Sequence, residues 1–335
     1  MKKQYTLLMT LVALLAVSIS ALAQKKKGAA PENPEAGKFK VEQSKLLPKL
    51  KRLAITELTV NYKLTTTAKT IVREKGAGKI AGARVTAYLE FTDSEPTPED
   101  FQGITDHFYR YFQKQLKANG IDTVGWNEIV ASEFYQKIGD DEKDDDKKEG
   151  GGNAWVVSTA NKGKIVHNGM VGFAGNKGKR AADFAEQFGT AASFKVNVDF
   201  AEVLVNLELK TTARKDLYDG WYYPESTSKK YTWGVHAQMM VGDPENKQAS
   251  YIWAQKGWPE FVLQWRDIAV AGEYSESMTE DASKARSGLA KQFAFSKELT
   301  PVLVQATRAK YIAAAKNAVE RWVDAFVARA VSMRN

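Results

Sequence analysis

Three histidines, His107, His167 and His236, are the side chains best suited to acid–base chemistry or metal binding near neutral pH. They lie far apart in the sequence, and none has a second histidine or a carboxylate at a metal-ligand spacing such as H-E-x-x-H. The sequence therefore predicts no metal site and no catalytic residue. A hydrolase site assembled in space from distant carboxylates or histidines stays open as an alternative.

Other chemistry-bearing motifs are also missing from the sequence. The chain has no cysteine, which excludes disulfides, thiolate catalysis and Cys-type zinc sites. Gly172 and Gly178 are separated by five residues, and Arg180 follows Lys179, so this glycine-rich segment does not match a phosphate-binding loop. No cofactor is predicted.

The charged segment GDDEKDDDKKEGGG, residues 139–152, could be mistaken for a calcium loop. No register of it supplies oxygen ligands at alternate positions, a glycine at the sixth and a glutamate at the twelfth, as an EF-hand requires. We expect a disordered charged insertion, because runs of charge usually stay hydrated.

Aromatic residues are concentrated near the middle of the second half. Five of the eight tryptophans are Trp221, Trp233, Trp253, Trp258 and Trp265. The segments W-Y-Y-P at 221–224 and G-W-P at 257–259 read as loops, and loop aromatics that are not all buried often mark an interaction surface. The candidate binding residues are Trp221, Tyr222, Tyr223, Trp258 and Trp265. The alternative is that these rings are packed loop anchors.

The elements that would position these residues follow from hydrophobic periodicity. We expect strands over 52–64, 83–91, 194–212 (with a bulge near 201–202), 231–241 and 249–258, and helices over 98–118, 127–138, 179–192 and 301–333. The last is a long amphipathic helix whose apolar stripe should pack on the sheet. The pattern predicts an α/β (α+β) fold with a mixed or antiparallel sheet flanked by helices.

The amino terminus has the pattern of a cleavable secretory signal peptide, residues 1–23. Lys2 and Lys3 precede an apolar run that is too short to span a bilayer, and small residues lead to cleavage between Ala23 and Gln24. Residues 24–44 are expected to form a flexible leader, and 45–335 a single domain. The mature protein should be exported to the periplasm or outer surface of a bacterial cell and should not span the membrane.

The net charge of +8 arises from 48 basic and 40 acidic residues that are interleaved along the chain. Nucleic-acid binding is therefore not expected, because it favours basic residues clustered in a patch. Loose association with anionic envelope surfaces is compatible with this charge.

The order of elements between residues 52 and 209 resembles the periplasmic domain shared by CsgG-type curli-secretion lipoproteins and the amino-terminal domain of TolB. The matching segments are KRLAITELTV, FQGITDHFYRYFQKQL, IDTVGW, NEIVASEFYQKI and KVNVDFAEVLVNLEL. The lipidated cysteine of the secretion lipoproteins is absent here. The resemblance implies a non-enzymatic envelope protein that assembles with a protein partner. A module that binds a glycan or another envelope ligand through the aromatic loops is the alternative.

Overall fold

The fold is α+β, as predicted, with strands in three sheets and a long helix at the carboxyl end. The computed structural model describes residues 33–42, 46–73, 80–138, 147–150, 153–166, 183–215, 222–242, 250–254, 260–264, 266–284 and 296–334. The helices are α1 (Pro98–Ala118), α2 (Trp126–Val130), α3 (Glu133–Gln136), α4 (183–188) and α5 (Arg308–Ser332).

The strands are β1 (Phe39–Glu42), β2 (Arg52–Lys63), β3 (Thr65–Arg73), β4 (Ile80–Phe91), β5 (Asp122–Thr123), β6 (Lys147–Gly150), β7 (Asn153–Thr159), β8 (Thr190–Asp199), β9 (Glu202–Lys215), β10 (Tyr222–His236), β11 (Met240–Gly242), β12 (Tyr251–Ala254), β13 (Glu260–Gln264), β14 (Ile268–Ala269), β15 (Ser277–Glu280), β16 (Ser296–Glu298) and β17 (Val302–Ala306).

The central sheet has the order β1-β13-β12-β8-β2-β7-β6, with β11 pairing with a further part of β8. It is mixed, because β2 is parallel to β8 and antiparallel to β7. Every residue of β2 from 53 to 60 is buried, which is typical of a strand covered on both faces. This pattern explains why β2 lies near the middle of the sheet.

Both central strands continue into long hairpins. β2 bends at Leu64 into β3, which pairs with β4, and β8 breaks at 200–201 before β9, which pairs with β10. We call β3–β4 and β9–β10 the hairpin pair. The hairpins meet where Leu207 of β9 packs on Ala81 and Ala83 of β4. β4 also belongs to a sheet of order β15-β17-β4-β16, in which β17 is parallel to β4.

Helices α1 and α5 lie side by side and parallel. β4 leads into α1 and β17 leads into α5, so two neighbouring parallel strands each feed one helix. Three contacts advance along both helices in the same direction: Asp100 with Arg308, His107 with Glu320, and Tyr111 with Asp324. The buried faces of both helices join the main hydrophobic core with the central sheet.

Several predicted boundaries need correction. Residues 302–306 form β17 and not the first turn of the last helix, because this apolar run pairs with β4 and Thr307 caps α5 only after it. The helix expected over 127–138 is two short helices separated at Ser132, whose side chain caps α3. The helix expected over 179–192 is described only at 183–188, and β8 begins at 190. The strand expected to bulge near 201–202 is divided there into β8 and β9.

Some residues expected to be irregular have regular structure. Residues 34–42, within the expected leader, form a 3₁₀ turn and β1, because Phe39 is buried in the core and β1 pairs with β13. Residues 147–150, within the expected charged insertion, form β6 on the edge of β7. The expected signal peptide, including Ala23 and Gln24, lies outside the described residues. Among the described helices, none combines the length and apolarity needed to cross a bilayer.

Candidate functional site

An open groove of about 980 Å³ lies beside the first turns of α1. Its walls come from the amino-terminal half of α1, the ends of β3 and β4 nearest the core, strand β7 and the turn at 160–163 that follows it. The volume of the groove lies in the upper part of the usual size range of ligand pockets, roughly 300–1,000 Å³.

The groove has an apolar floor and a charged rim. The floor residues are Leu64, Leu89, Phe101, Val156, Ile165 and Leu303, and the charged residues are Glu90, Glu95, Glu99, Asp106, Lys162 and Lys284. Phe101 and Ile165 are almost fully buried, whereas Glu95 and Lys162 are exposed. A ligand here would pack on a rigid base and meet charge at the edges.

Gln102 and Asp106, one helical turn apart on α1, hold the turn at 160–163. Gln102 donates through Nε2 to Asp106 Oδ1 at 2.8 Å and to the Thr159 carbonyl at 2.9 Å. The backbone N–H of Asn161 donates to the same Asp106 oxygen at 2.6 Å. Asn161 and Lys162 have φ values of 55° and 51°, a left-handed conformation that is unfavourable for residues other than glycine. The two α1 side chains therefore fix a strained turn at the rim.

Gly163 completes this turn for a steric reason. A Cβ atom at this position would lie 2.6 Å from the Trp126 ring and 3.0 Å from the Ala160 carbonyl oxygen. Trp126 is itself held edge-on between Tyr109 and Tyr135, with ring centroids 5.8 and 5.7 Å away. Only glycine lets the turn approach the indole this closely.

The start of α1 is fixed by charge and by hydrogen bonds. The Thr97 backbone N–H donates to Asp100 Oδ2 at 2.7 Å, and Arg308 of α5 pairs with Asp100, with Nε–Oδ2 2.8 Å and Nη2–Oδ1 2.9 Å. At the rim, the pKa of Glu99 is lowered. Its own backbone N–H donates to the carboxylate, the Thr97 hydroxyl adds a second bond, and Lys162 favours the charged form. Glu99 is therefore ionised at neutral pH.

The aromatic residues predicted to bind a ligand are not brought into this groove by the described part of the structure. Trp221, Trp258 and Trp265 lie outside the described residues. Tyr222 and Tyr223 belong to β10, where their backbones pair with Lys215 and Arg214, so the loop expected there is a strand. Their side chains are not described, and their role in binding stays a prediction.

The histidines do not form a joint site among the described residues. His107 Nε2 is 2.7 Å from Glu320 Oε1 at the seam between α1 and α5. His236 is exposed at the end of β10, and His167 lies outside the described residues. In the part of the chain that the structure describes, no three His, Asp or Glu side chains are grouped so that they could hold a metal ion.

Comparisons with known proteins give no relative for this chain: no family model, no curated protein and no solved structure matches it.

The sequence interpretation did not identify the groove. Its charged residues come from three separate segments, at 90–106, 162 and 284, so no local pattern collects them. One local signal was present: the segment A-N-K-G at 160–163 contains the residue types that favour a tight turn with left-handed backbone.

Proposed function

We propose that this chain is a non-enzymatic interaction protein of the bacterial cell envelope, exported to the periplasm or outer surface, that binds a protein partner in the groove beside α1. The observation that carries the proposal is the combination of an open groove, an apolar floor and exposed charges on its rim. This combination is the usual anatomy of a protein interface, with an apolar centre and a polar edge.

The hydrogen bonding in the groove supports binding over catalysis. The Ser158 hydroxyl donates to the Gln102 side-chain carbonyl oxygen at 3.3 Å, and the Thr159 hydroxyl donates to the Gly163 carbonyl at 2.7 Å. An activated nucleophile would instead donate to a general base. Asp106 accepts two bonds that hold the turn. These groups therefore shape the wall of the groove.

Export is supported by the signal pattern at residues 1–23, and envelope assembly by the resemblance to the CsgG and TolB group. Amino-terminal sequencing of the protein purified from the periplasm tests the first point, and a mature terminus at Gln24 is expected. Recovery of the intact precursor in the cytoplasm would contradict it.

Site-specific photocrosslinking tests the groove. A photoreactive phenylalanine derivative is placed at Glu95 on the rim of the full-length chain, which is expressed in its own cells. The matched control carries the same group at Lys117, which is exposed at the carboxyl end of α1, the end away from the groove. We expect a discrete crosslinked product at Glu95 that is absent or much weaker at Lys117. Equal products at both positions, or none at Glu95, would refute groove binding.

The alternatives rest on other residues. A glycan-binding module would use Trp221, Trp258 and Trp265, and a hydrolase would need a spatially assembled site. Screening glycan binding with a Trp221→Ala, Trp258→Ala double variant tests the first alternative, because a glycan site formed by these rings would lose its binding.

A further inference from the structure

The charge of the groove is opposite to that of the protein. The whole chain carries a formal charge of +8. Among the described residues, the rim has four carboxylates, from Glu90, Glu95, Glu99 and Asp106, against two ammonium groups, from Lys162 and Lys284, a net charge of −2 for these six. An acidic groove on a basic protein attracts cationic ligands and disfavours binding of anions.

The four carboxylates differ in how far they are already engaged: Asp106 accepts two hydrogen bonds at Oδ1 that hold the turn, and Glu99 accepts from its own backbone N–H and from Thr97, but neither is neutralised by an ion pair with a described residue. Within the described residues, none of them forms an ion pair within 4.0 Å, whereas Asp100 next to them is paired with Arg308 at 2.8 Å. Glu90 accepts one hydrogen bond, from Gln305 Nε2 at 2.9 Å. Glu95 and Glu99 are exposed at the entrance, so a cation could reach them without any rearrangement.

The apolar floor selects among cations. Lysine and arginine side chains carry long aliphatic stems that pack along apolar surface while the charged end stays at a polar edge. Phe101, Leu89 and Val156 line the same groove as the carboxylates and offer such a surface. A small inorganic cation would leave this floor unused.

The length of the acidic stretch points to a polypeptide. Glu99 and Asp106 are seven residues apart on α1, a rise of about 10 Å. An extended chain covers this distance in about three residues. From these observations we infer that the groove binds an extended segment of the partner polypeptide carrying two basic residues about three positions apart. This inference rests on the proposed function and specifies the chemistry of the partner.

Fluorescence anisotropy with defined peptides tests the inference on the purified mature protein. The probe is a labelled ten-residue peptide with two lysines three positions apart in an otherwise uncharged sequence, compared with the same peptide carrying glutamates and with one carrying norleucines. We expect measurable binding of the lysine peptide, much weaker binding of the norleucine peptide and none of the glutamate peptide.

Charge variants locate the binding. Glu95→Gln with Glu99→Gln should weaken binding of the lysine peptide by about three- to tenfold, the usual effect of losing two exposed ion pairs. Lys162→Gln should strengthen it, because the neighbouring repulsive charge is removed. The control Glu133→Gln with Glu208→Gln changes the net charge equally at exposed positions away from the groove and should leave binding within about twofold.

Several outcomes would overturn the inference. Equal binding of lysine and glutamate peptides, or equal weakening in the groove and control variants, contradicts an acidic recognition site. Displacement by spermidine at the same concentration as an unlabelled lysine peptide contradicts a polypeptide ligand. If the Glu95 photocrosslink forms but the lysine peptide does not bind, the partner has another chemistry and only this inference fails. If neither occurs, the proposed function fails as well.

Discussion

The helix-backed core, formed by α1, α5 and the central sheet, is joined to the hairpin pair through β2 and β8, which lead into β3 and β9, but the two regions are stabilised in different ways. In the core, Trp322 of α5 is surrounded by the rings of Phe39, Phe108, Phe112 and Phe194, with centroids 5.4 to 5.9 Å away and nearly perpendicular planes. Its indole N–H donates to Gln264 Oε1 at 2.9 Å. Such clusters combine large buried area with favourable edge-to-face geometry.

The hairpin pair has a much smaller apolar cluster. Among the side chains that the structure describes, its buried members are Ala81, Ala83 and Leu207, with Val205 and Tyr231 among those partly buried at its edge. Leu204, on the opposite face of β9, is half exposed. The structure of the hairpin pair must therefore depend mainly on backbone pairing between its strands and on the connection of β3 and β9 to the central sheet. The comparison teaches that the chain can pass directly from a strand of a strongly packed region into a strand of a weakly packed one.

Raising the pH above 10 should have the largest effect on stability, and it should act on the helix-backed core. Burial raises the pKa of Tyr62, Tyr109, Tyr274 and Tyr311 above the ordinary value of 10.0. The folded state therefore keeps these protons while the unfolded chain loses them, so their stabilisation is present below pH 10 and is lost as pH rises. At one pH unit above 10 the loss is about 1.4 kcal/mol for each tyrosine.

The expected result is a cooperative unfolding transition above pH 10, in which tyrosinate absorbance rises together with the loss of near-ultraviolet circular dichroism. Tyr111, whose pKa is raised to about 12 first by burial and then by its hydrogen bond to Asp324, is more exposed and should titrate before the others. Full tyrosine ionisation near pH 10 with unchanged circular dichroism would show that these side chains are not buried.

Two truncations compare the regions directly. Trp322→Ala should lower the free energy of unfolding by about 3–5 kcal/mol, since it leaves a large cavity and removes the hydrogen-bond donor to Gln264 Oε1. Leu207→Ala should cost about 2 kcal/mol or less, at or below the low end for buried leucine, because few large side chains surround it. Urea denaturation of both variants against the parent chain measures the two costs, and equal values would remove the distinction between core and hairpin pair.

The core elements that were predicted well from the sequence have one strong hydrophobic period. For α1, the Thr97-Pro98 start and the Asn119-Gly120 end predicted both boundaries, and the apolar stripe of Phe101, Ile104, Phe108, Phe112 and Leu116 is buried. The apolar run at 302–306 fits a helix or a strand equally well. Its pairing with β4, more than 200 residues earlier in the chain, decides for a strand.

The hairpin pair and the groove could not be predicted in this way, because both depend on contacts between distant segments. The alternation of Val203, Val205, Leu207 and Leu209 indicated a strand but not the small residues of β4 that it covers. Likewise, Asp106 and Asn161 are ordinary polar residues in the sequence, and only the fold joins them at 2.6 Å. The prediction of a loop at 222–224 was wrong. The residue types there favour a turn, but these residues pair with β9 and form part of a strand.

The junction between the two regions should give an effect close to that of the Leu207 truncation. Asp199, at the end of β8, accepts hydrogen bonds through Oδ2 from Lys63 Nζ and Thr66 Oγ1, each at 3.0 Å, and so joins the two strands where they bend. Asp199→Ala should cost about 2 kcal/mol, because hydrogen bonds to a buried carboxylate are lost and Thr66 keeps an unpaired hydroxyl. The control is Asp122→Ala. The Asp122 carboxylate is largely exposed and 4.0 Å from Arg52, so its removal should change stability by less than about 0.5 kcal/mol.

Amide exchange in the Asp199 variant should increase in β3 and β9 more than in β2 and β8. Equal increases in all four strands would mean that the hairpin pair and the core open as one cooperative unit.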